Sequence, residues 1–239
     1  MANPFVSVGL SRSIAIAADV QSLPDLVNLA NAAKNCAAVS AVKVGFTLAL
    51  RFGLQAVVSS IKSVTPLPVI YDHQKAGTDI PQMGPPFAKA CREAGVDGVI
   101  IFPHAGPRTL EAFASSALEY GLIPIVGIMM THPGYLASDG GYLIDTAPSL
   151  ICDAALRLGV THFVLPGTNP GVLRRFSTGP LRDGRFTLWI PGIGTQGGSL
   201  GEAFEAATPN KAVAIIGSSI YASADPKKAL EAFASEITP

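Results

Sequence analysis

The segment "YDHQKAGTDIP", residues 71–81, sets Asp72, Lys75 and Asp79 within eight positions, directly after the apolar run "LPVI". Charged residues make up only 14% of the chain, so acid and base gathered at the end of a buried strand require a reason. Buried charge is costly unless it is paired. Two more charges fall at equivalent places, Asp19 at the end of "SIAIAADV" and Lys43 late in "VSAVKVGF". Two lysines and three carboxylates converging on one mouth form a self-neutralising array, which scattered charges would not. A second stretch, "PGIGTQGG" at 191–198, is followed after a helical segment by "IIGSS" at 215–219. Glycines there let backbone N–H groups approach a ligand closely, as an anion such as phosphate requires.

The elements that must position these residues can be counted. Eight short, β-branched apolar runs read as strands: "SIAIAADV", "VSAVKVGF", "LPVIYDH", "VDGVIIFPH", "LIPIVGIMMT", "VTHFVLPG", "FTLWIPGIG" and "AVAIIGSS". Between them lie segments with apolar residues at helical spacing, among them "LPDLVNLANAAKNC", "LALRFGLQAVVSSIKSV" and "RTLEAFASSALEYG". Several end in Gly just before the next strand, as "EAG", "EYG" and "RLG" do, which suits a helix C-cap. Eight strand-helix units in 239 residues predict an α/β protein, a closed (β/α)8 TIM barrel forming one domain over residues 1–239. An open doubly wound sheet fits less well, because no "GxGxxG" follows the first strand.

In such a barrel the chemistry sits at the C-terminal ends of the strands, and the loops after strands seven and eight are the usual phosphate cradle. The polar residues obey that rule. Asp19, Lys43 and Asp72 end strands one to three, with Lys75 and Asp79 just beyond; His104 follows the fourth, Thr131 and His132 the fifth, Gln196 the seventh, and Gly217 with Ser218 the eighth. His104 and His132 each follow an apolar strand in a Pro- or Gly-rich turn and read as structural. Trp189 and Phe186, both in the seventh strand, read as core.

Composition narrows the class further. Hydrophobic residues form 49% of the chain and aromatic ones 7%, so the interior is built from Ala, Val, Ile and Leu. Seventeen basic residues balance 17 acidic ones, leaving no overall field to attract nucleic acid or an anionic membrane. The start, "MANPFVSVGLSRS", lacks the features of a secretory signal, and runs such as "LIPIVGIMM" fall far short of the roughly 20 residues of a membrane-spanning helix. The expectation is a soluble cytoplasmic protein. Cys36, Cys91 and Cys152 are widely spaced with no CxxC pair, and read as small buried apolar residues.

Taken in order, one motif per strand end, the residues from Asp19 to about Ile220 resemble the orotidine 5'-monophosphate decarboxylase family. Asp19 in "AIAADV" and Lys43 in "VKVGF" are similar to the family's first-strand Asp and second-strand Lys. Asp72, Lys75 and Asp79 with Ile80 resemble its "DxKxxDI" array, Thr131 in "MMTHPG" resembles the Ser of "MSHPG", and Gln196 in "PGIGTQGG" resembles the phosphate-loop Gln. The resemblance implies decarboxylation of orotidine 5'-monophosphate to UMP in pyrimidine biosynthesis, with no cofactor and no metal. It implies that Lys75 protonates C6 and that Asp72 holds Lys75 beside the departing carboxylate. Lys43 and Asp19 would bind ribose hydroxyls, Thr131 would read the pyrimidine amide edge, and Gln196 would link base and phosphate, with Pro191, Gly192, Gly217 and Ser218 around the phosphate. Ile80 would contact the substrate, and Asp79 would complete the site of the neighbouring subunit, so a homodimer is implied.

Three departures stand against the pattern. The family's Asp-x-Lys-x-x-Asp spacing is here lengthened by two residues. Positions i and i+3 of a strand do not share a face, so the strand must end or bulge near His73 and Gln74, with Gly77 supplying a second adjustment. Ser218 stands where the family has its phosphate Arg; Arg174, Arg175 or Lys227 would have to reach in from nearby loops, or the phosphate binds more weakly. Met83 stands where the family has a ribose-contacting Thr. Two rival readings use the same barrel: a magnesium-dependent sugar-phosphate lyase of the hexulose phosphate synthase or ketogulonate phosphate decarboxylase type, and a non-catalytic nucleotide-binding barrel. "TDIP", "THPG" and "PGIGTQGG" argue against the first, and retention of both lysines and all three aspartates argues against the second.

Overall fold

Each of the eight apolar runs forms a strand. The computed structural model describes residues 10–74 and 76–237; Lys75 and most of the opening segment weighed above as a signal lie outside them. The strands are β1 (Arg12–Ala17), β2 (Val39–Gly45), β3 (Val69–Asp72), β4 (Gly98–Ile101), β5 (Ile123–Gly127), β6 (His162–Val164), β7 (Thr187–Pro191) and β8 (Lys211–Ile216). All pair in parallel with their sequence neighbours, and β8 pairs back onto β1, closing the barrel that the sequence predicts.

Outside it run α1 (Leu23–Lys34), α2 (Phe46–Phe52), α3 (Leu54–Lys62), α4 (Gly84–Glu93), α5 (Pro107–Glu119), α6 (Ala147–Arg157), α7 (Pro170–Thr178), α8 (Leu200–Ala207), α9 (Ser218–Tyr221) and α10 (Pro226–Ile237). Their ends follow local chemistry. Ser22, Asn169 and Ser199 accept the first free amides of α1, α7 and α8. Gly95, Gly121 and Gly159 close α4, α5 and α6 with φ of 84°, 70° and 77°, as the three Gly endings predict. The helix expected over 48–64 is two helices, because Gly53 with φ 79° ends α2 and begins α3. The final run, expected as strand through Ser219, leaves the sheet earlier: β8 stops at Ile216 and the short α9 begins at Ser218.

Period-two alternation divides the buried residues into two cores. Outward-facing Val42, Val44, Tyr71, Phe163 and Phe186 pack with the helices. Inward-facing Ala15, Ala17, Ala41, Ile70, Ile100, Ile125, Val164, Trp189, Val213 and Ile215 fill the barrel. Trp189 and Phe186 are core, as expected, although Phe186 stands just before β7 rather than in it. The Trp189 indole N–H donates to His162 Nδ1 at 3.1 Å near the N-terminal end of the barrel. Burial, with Lys211 nearby, pushes the pKa of His162 down to about 4. Cys91 and Cys152 are buried as predicted; Cys36 follows α1 and is half-buried. Among the described residues no helix is long and apolar enough to cross a membrane.

Candidate active site

The same alternation aims the charges. In β2 the inward residues are Ala41, Lys43 and Gly45; in β3 they are Ile70 and Asp72; Asp19 follows inward-facing Ala17 by two. Asp19, Lys43 and Asp72 therefore meet at the C-terminal mouth on adjacent strands. Lys43 Nζ donates to Asp72 Oδ2 at 3.0 Å and lies 3.4 Å from Asp19 Oδ2. Burial alone would lower the Lys43 pKa, but the carboxylates of Asp72 and Asp19 outweigh it and the net displacement is upward. Lys43 therefore stays an ammonium. Asp72 Oδ1 is buried and has no hydrogen-bond partner among the described residues, so one lone-pair set of this carboxylate awaits a donor.

One residue of this array escaped the sequence reading. A Cβ on Gly45 would stand 2.6 Å from Asp19 Oδ1, so Gly45 is what lets the Asp19 carboxylate approach Lys43. Its signal was present in "VKVGF", two positions after Lys43 on the same face.

Beyond Asp72 the chain leaves the sheet at once. Ala76 N–H donates to the His73 carbonyl at 2.7 Å, closing a turn, and Phe102 N–H and Ala105 N–H donate to the carbonyls of Ala76 and Gly77. Gly77 has φ 86°, and a Cβ there would meet Ile101 Cγ2 at 2.8 Å and Phe102 O at 3.0 Å. The strand thus ends before the lengthened segment, which folds against the loop after β4. Asp79 is exposed; its Oδ1 accepts from the Ile80 amide at 2.7 Å and its carbonyl accepts from Thr109 Oγ1. Neither Asp79 nor Ile80, which is 59% exposed, lines this chain's own pocket. Met83 lies outside it too.

The pocket at the mouth has a volume of about 240 Å³. Its floor is apolar, formed by Ala17, Ile100, Phe102, Val164 and Ile215. The Phe102 ring fits there because β5 offers Gly127 beneath it, where a Cβ would come within 2.5 Å of three ring carbons. Asp19, Lys43 and Asp72 form one wall, joined by Gln74, which the sequence marks only as a place for the strand to end or bulge.

The opposite wall carries Thr131 from the β5 loop, Pro191, Gly192 and Gln196 from the β7 loop, and Gly217 with Ser218 after β8. Gly192, Gly194 and Gly197 all have positive φ, and Gly198 N–H donates to the Gly192 carbonyl at 2.9 Å. This tight loop is tied to the start of α9, with Thr195 Oγ1 2.9 Å from Ser218 Oγ and Thr195 N–H donating to Ser219 Oγ. Thr195 and Tyr221 also line the pocket and were not foreseen, although "PGIGTQGG" contains the first. Arg174 is exposed, Arg175 donates to Ser149 Oγ at 3.1 Å, and Lys227 lies 3.9 Å from Glu231. None of these three cations lines the pocket.

His104 and His132 belong to neither wall. His104 Nε2 stands 3.0 Å from the hydroxyl of buried Tyr135, and His132 meets the same ring edge-on. Burial, with His132 nearby, lowers the His104 pKa, and burial raises that of Tyr135 to about 12. This cluster pins the β5 loop, the structural role expected of both histidines.

Comparison with known proteins agrees with this architecture. The family model described as orotidine 5'-phosphate decarboxylase / HUMPS family matches residues 12–233. An orotidine 5'-phosphate decarboxylase from Methanosarcina mazei is 31% identical over 199 residues, 83% of this chain and 84% of its own length. One from Pyrococcus furiosus is 30% identical over 224 residues, covering 94% of this chain and 97% of its own. Among solved structures, orotidine 5'-monophosphate decarboxylase from Methanocaldococcus jannaschii, complexed with the inhibitor BMP, superposes with a TM-score of 0.82 at 24% identity, over 95% of this chain and 99% of that one. With the family model matched from the first strand to the last helix, and relatives at 30% identity or more along most of both chains, this chain belongs to the orotidine 5'-phosphate decarboxylase / HUMPS family.

Proposed function

We propose that this chain decarboxylates orotidine 5'-monophosphate to UMP, without metal or cofactor, in pyrimidine biosynthesis. The observation that carries the reading is the two-walled pocket: an ammonium between two carboxylates on one side, a glycine-rich cradle on the other, and an apolar floor between them. Loss of carbon dioxide breaks the bond to pyrimidine C6 and leaves its electron pair there. A cation already in place stabilises that charge without reorganising as it develops. Lys75 is the cation assigned to this task; it then gives a proton to C6 and is reprotonated from solvent.

The Oδ1 of Asp72, buried and without a hydrogen-bond partner among the described residues, supports the assignment. A buried carboxylate oxygen calls for a donor, and Lys43 satisfies only the other oxygen. Lys75, three residues on, is the nearest lysine in sequence to Asp72. In this reading Lys43 and Asp19 bind the ribose hydroxyls, Thr131 reads the amide edge of the base, and Gln196 links base to phosphate. Pro191, Gly192, Gly217 and Ser218 surround the phosphate. Asp79 and Ile80, exposed and away from this chain's own pocket, complete the site of a second copy in a homodimer.

The test is the loss of orotidine 5'-monophosphate absorbance over time in the presence of a chelator, for the unaltered chain and for Lys75→Ala. Decay that needs no metal and disappears in Lys75→Ala is the expected result. Absence of decay in the unaltered chain refutes the reading and directs the search to sugar phosphates with magnesium.

A further inference from the structure

The walls of the pocket differ in charge as well as shape. Among the described residues that line it, Lys43 is the sole cation, and it is already held by Asp19 and Asp72. Among the described residues the opposite wall presents hydroxyls, the Gln196 amide and backbone but no charged side chain; Arg174, Arg175 and Lys227 are all engaged or exposed elsewhere. Two of its hydroxyls, Thr195 Oγ1 and Ser218 Oγ, are 2.9 Å apart and bridge the loops after β7 and β8. Ser219 props the pair from behind by accepting from Thr195 N–H at 3.2 Å. The prop fits because position 194 is Gly, where a Cβ would approach Ser219 Oγ to 2.3 Å.

We propose that the Thr195–Ser218 hydroxyl pair is the specificity-determining element of this wall, and that it reads the substrate's terminal group as a hydrogen-bonding group rather than as a dianion. The inference rests on the decarboxylase reading and deepens it. The substrate class widens to 6-carboxypyrimidine nucleosides with or without the 5'-phosphate, the phosphate adding efficiency without being required. Hydrogen bonds from neutral donors to a charged group contribute about ten- to a hundredfold each. As the elements that set this wall's specificity, the two hydroxyls contribute about 10⁴ at most to the preference for the phosphorylated substrate, whereas a bidentate guanidinium would add a charge-assisted pair on top.

The experiment compares kcat/KM for orotidine 5'-monophosphate and for orotidine, and in parallel the Kd of UMP and of uridine by calorimetry. A preference of about 10⁴ or less in both ratios is expected; a larger one overturns the proposal. In the double variant Thr195→Val/Ser218→Ala both ratios are expected to fall about tenfold or more, and unchanged ratios overturn it as well. Failure to turn over either substrate is the failure of the decarboxylase reading, and the two Kd ratios then decide the proposal by themselves.

Discussion

Two buried side chains show how environment decides protonation here. Lys43 and His162 both lie inside the barrel, yet their pKa values move in opposite directions. Lys43 at the mouth has two carboxylates to offset desolvation, while His162, near the other end, has an indole N–H donor and a nearby lysine. His162 is therefore neutral when folded, with a pKa of about 4 against 6.5 when unfolded. Between those values the unfolded chain binds a proton that the folded chain refuses. Stability is accordingly full above pH 6.5 and falls as pH drops toward 4. The expected loss is about 3 kcal/mol across that window. Denaturant unfolding at a series of pH values checks it: His162→Gln should lose about that much less than the unaltered chain, and identical slopes would refute the account.

At the level of elements, glycine decides how closely strands and loops bring their cargo together. Gly45 is an example in which backbone strain plays no part, since its φ is −88°. Only space is at issue, because an added methyl would stand 2.6 Å from Asp19 Oδ1. Gly45→Ala is expected to displace the Asp19 carboxylate from Lys43 and to lower kcat/KM by about tenfold or more, the equivalent of one weakened polar contact. The thermal midpoint should stay close to that of the unaltered chain, because Asp19 is partly exposed. Steady-state kinetics beside a thermal melt separates the two effects; a variant with unchanged kcat/KM shows that Gly45 has no role in placing Asp19.

For the whole molecule, the exposed Asp79 and Ile80 bear on the proposed homodimer. An array shared between copies makes a prediction that a self-contained barrel does not. Lys75→Ala and Asp79→Ala should each be nearly inactive alone. If each site takes Lys75 from one copy and Asp79 from the other, a mixed dimer carries one site with both residues intact and one with neither. Equal mixing after subunit exchange should then restore about a quarter of the unaltered activity, since about half the dimers are mixed and each has one working site. Recovery at the level of the separate variants would place both residues in the same copy's site.

The architecture was legible in the sequence, because strand and helix periods are local properties. Eight β-branched runs, Gly at the ends of α4, α5 and α6, and polar residues at or just past the ends of seven of the eight strands suffice for a closed barrel with its chemistry at one mouth. The identities of Asp19, Lys43, Asp72, Thr131, Gln196 and Ser218 as pocket residues were legible for the same reason: a strand's end and its inward face follow from counting. What counting could not supply is any quantity that depends on two segments distant in the chain. The role of Gly45 depends on the approach of Asp19, that of Gly127 on the Phe102 ring, and that of Gly194 on Ser219. Whether Arg174, Arg175 or Lys227 reaches the cradle depends on where α7 and α10 settle against the barrel, and they settle with these cations outside it. That one wall of the pocket is charged while the other, among the described residues, carries no charged side chain emerges when the segments fold together, because electrostatic balance is a sum over neighbours in space.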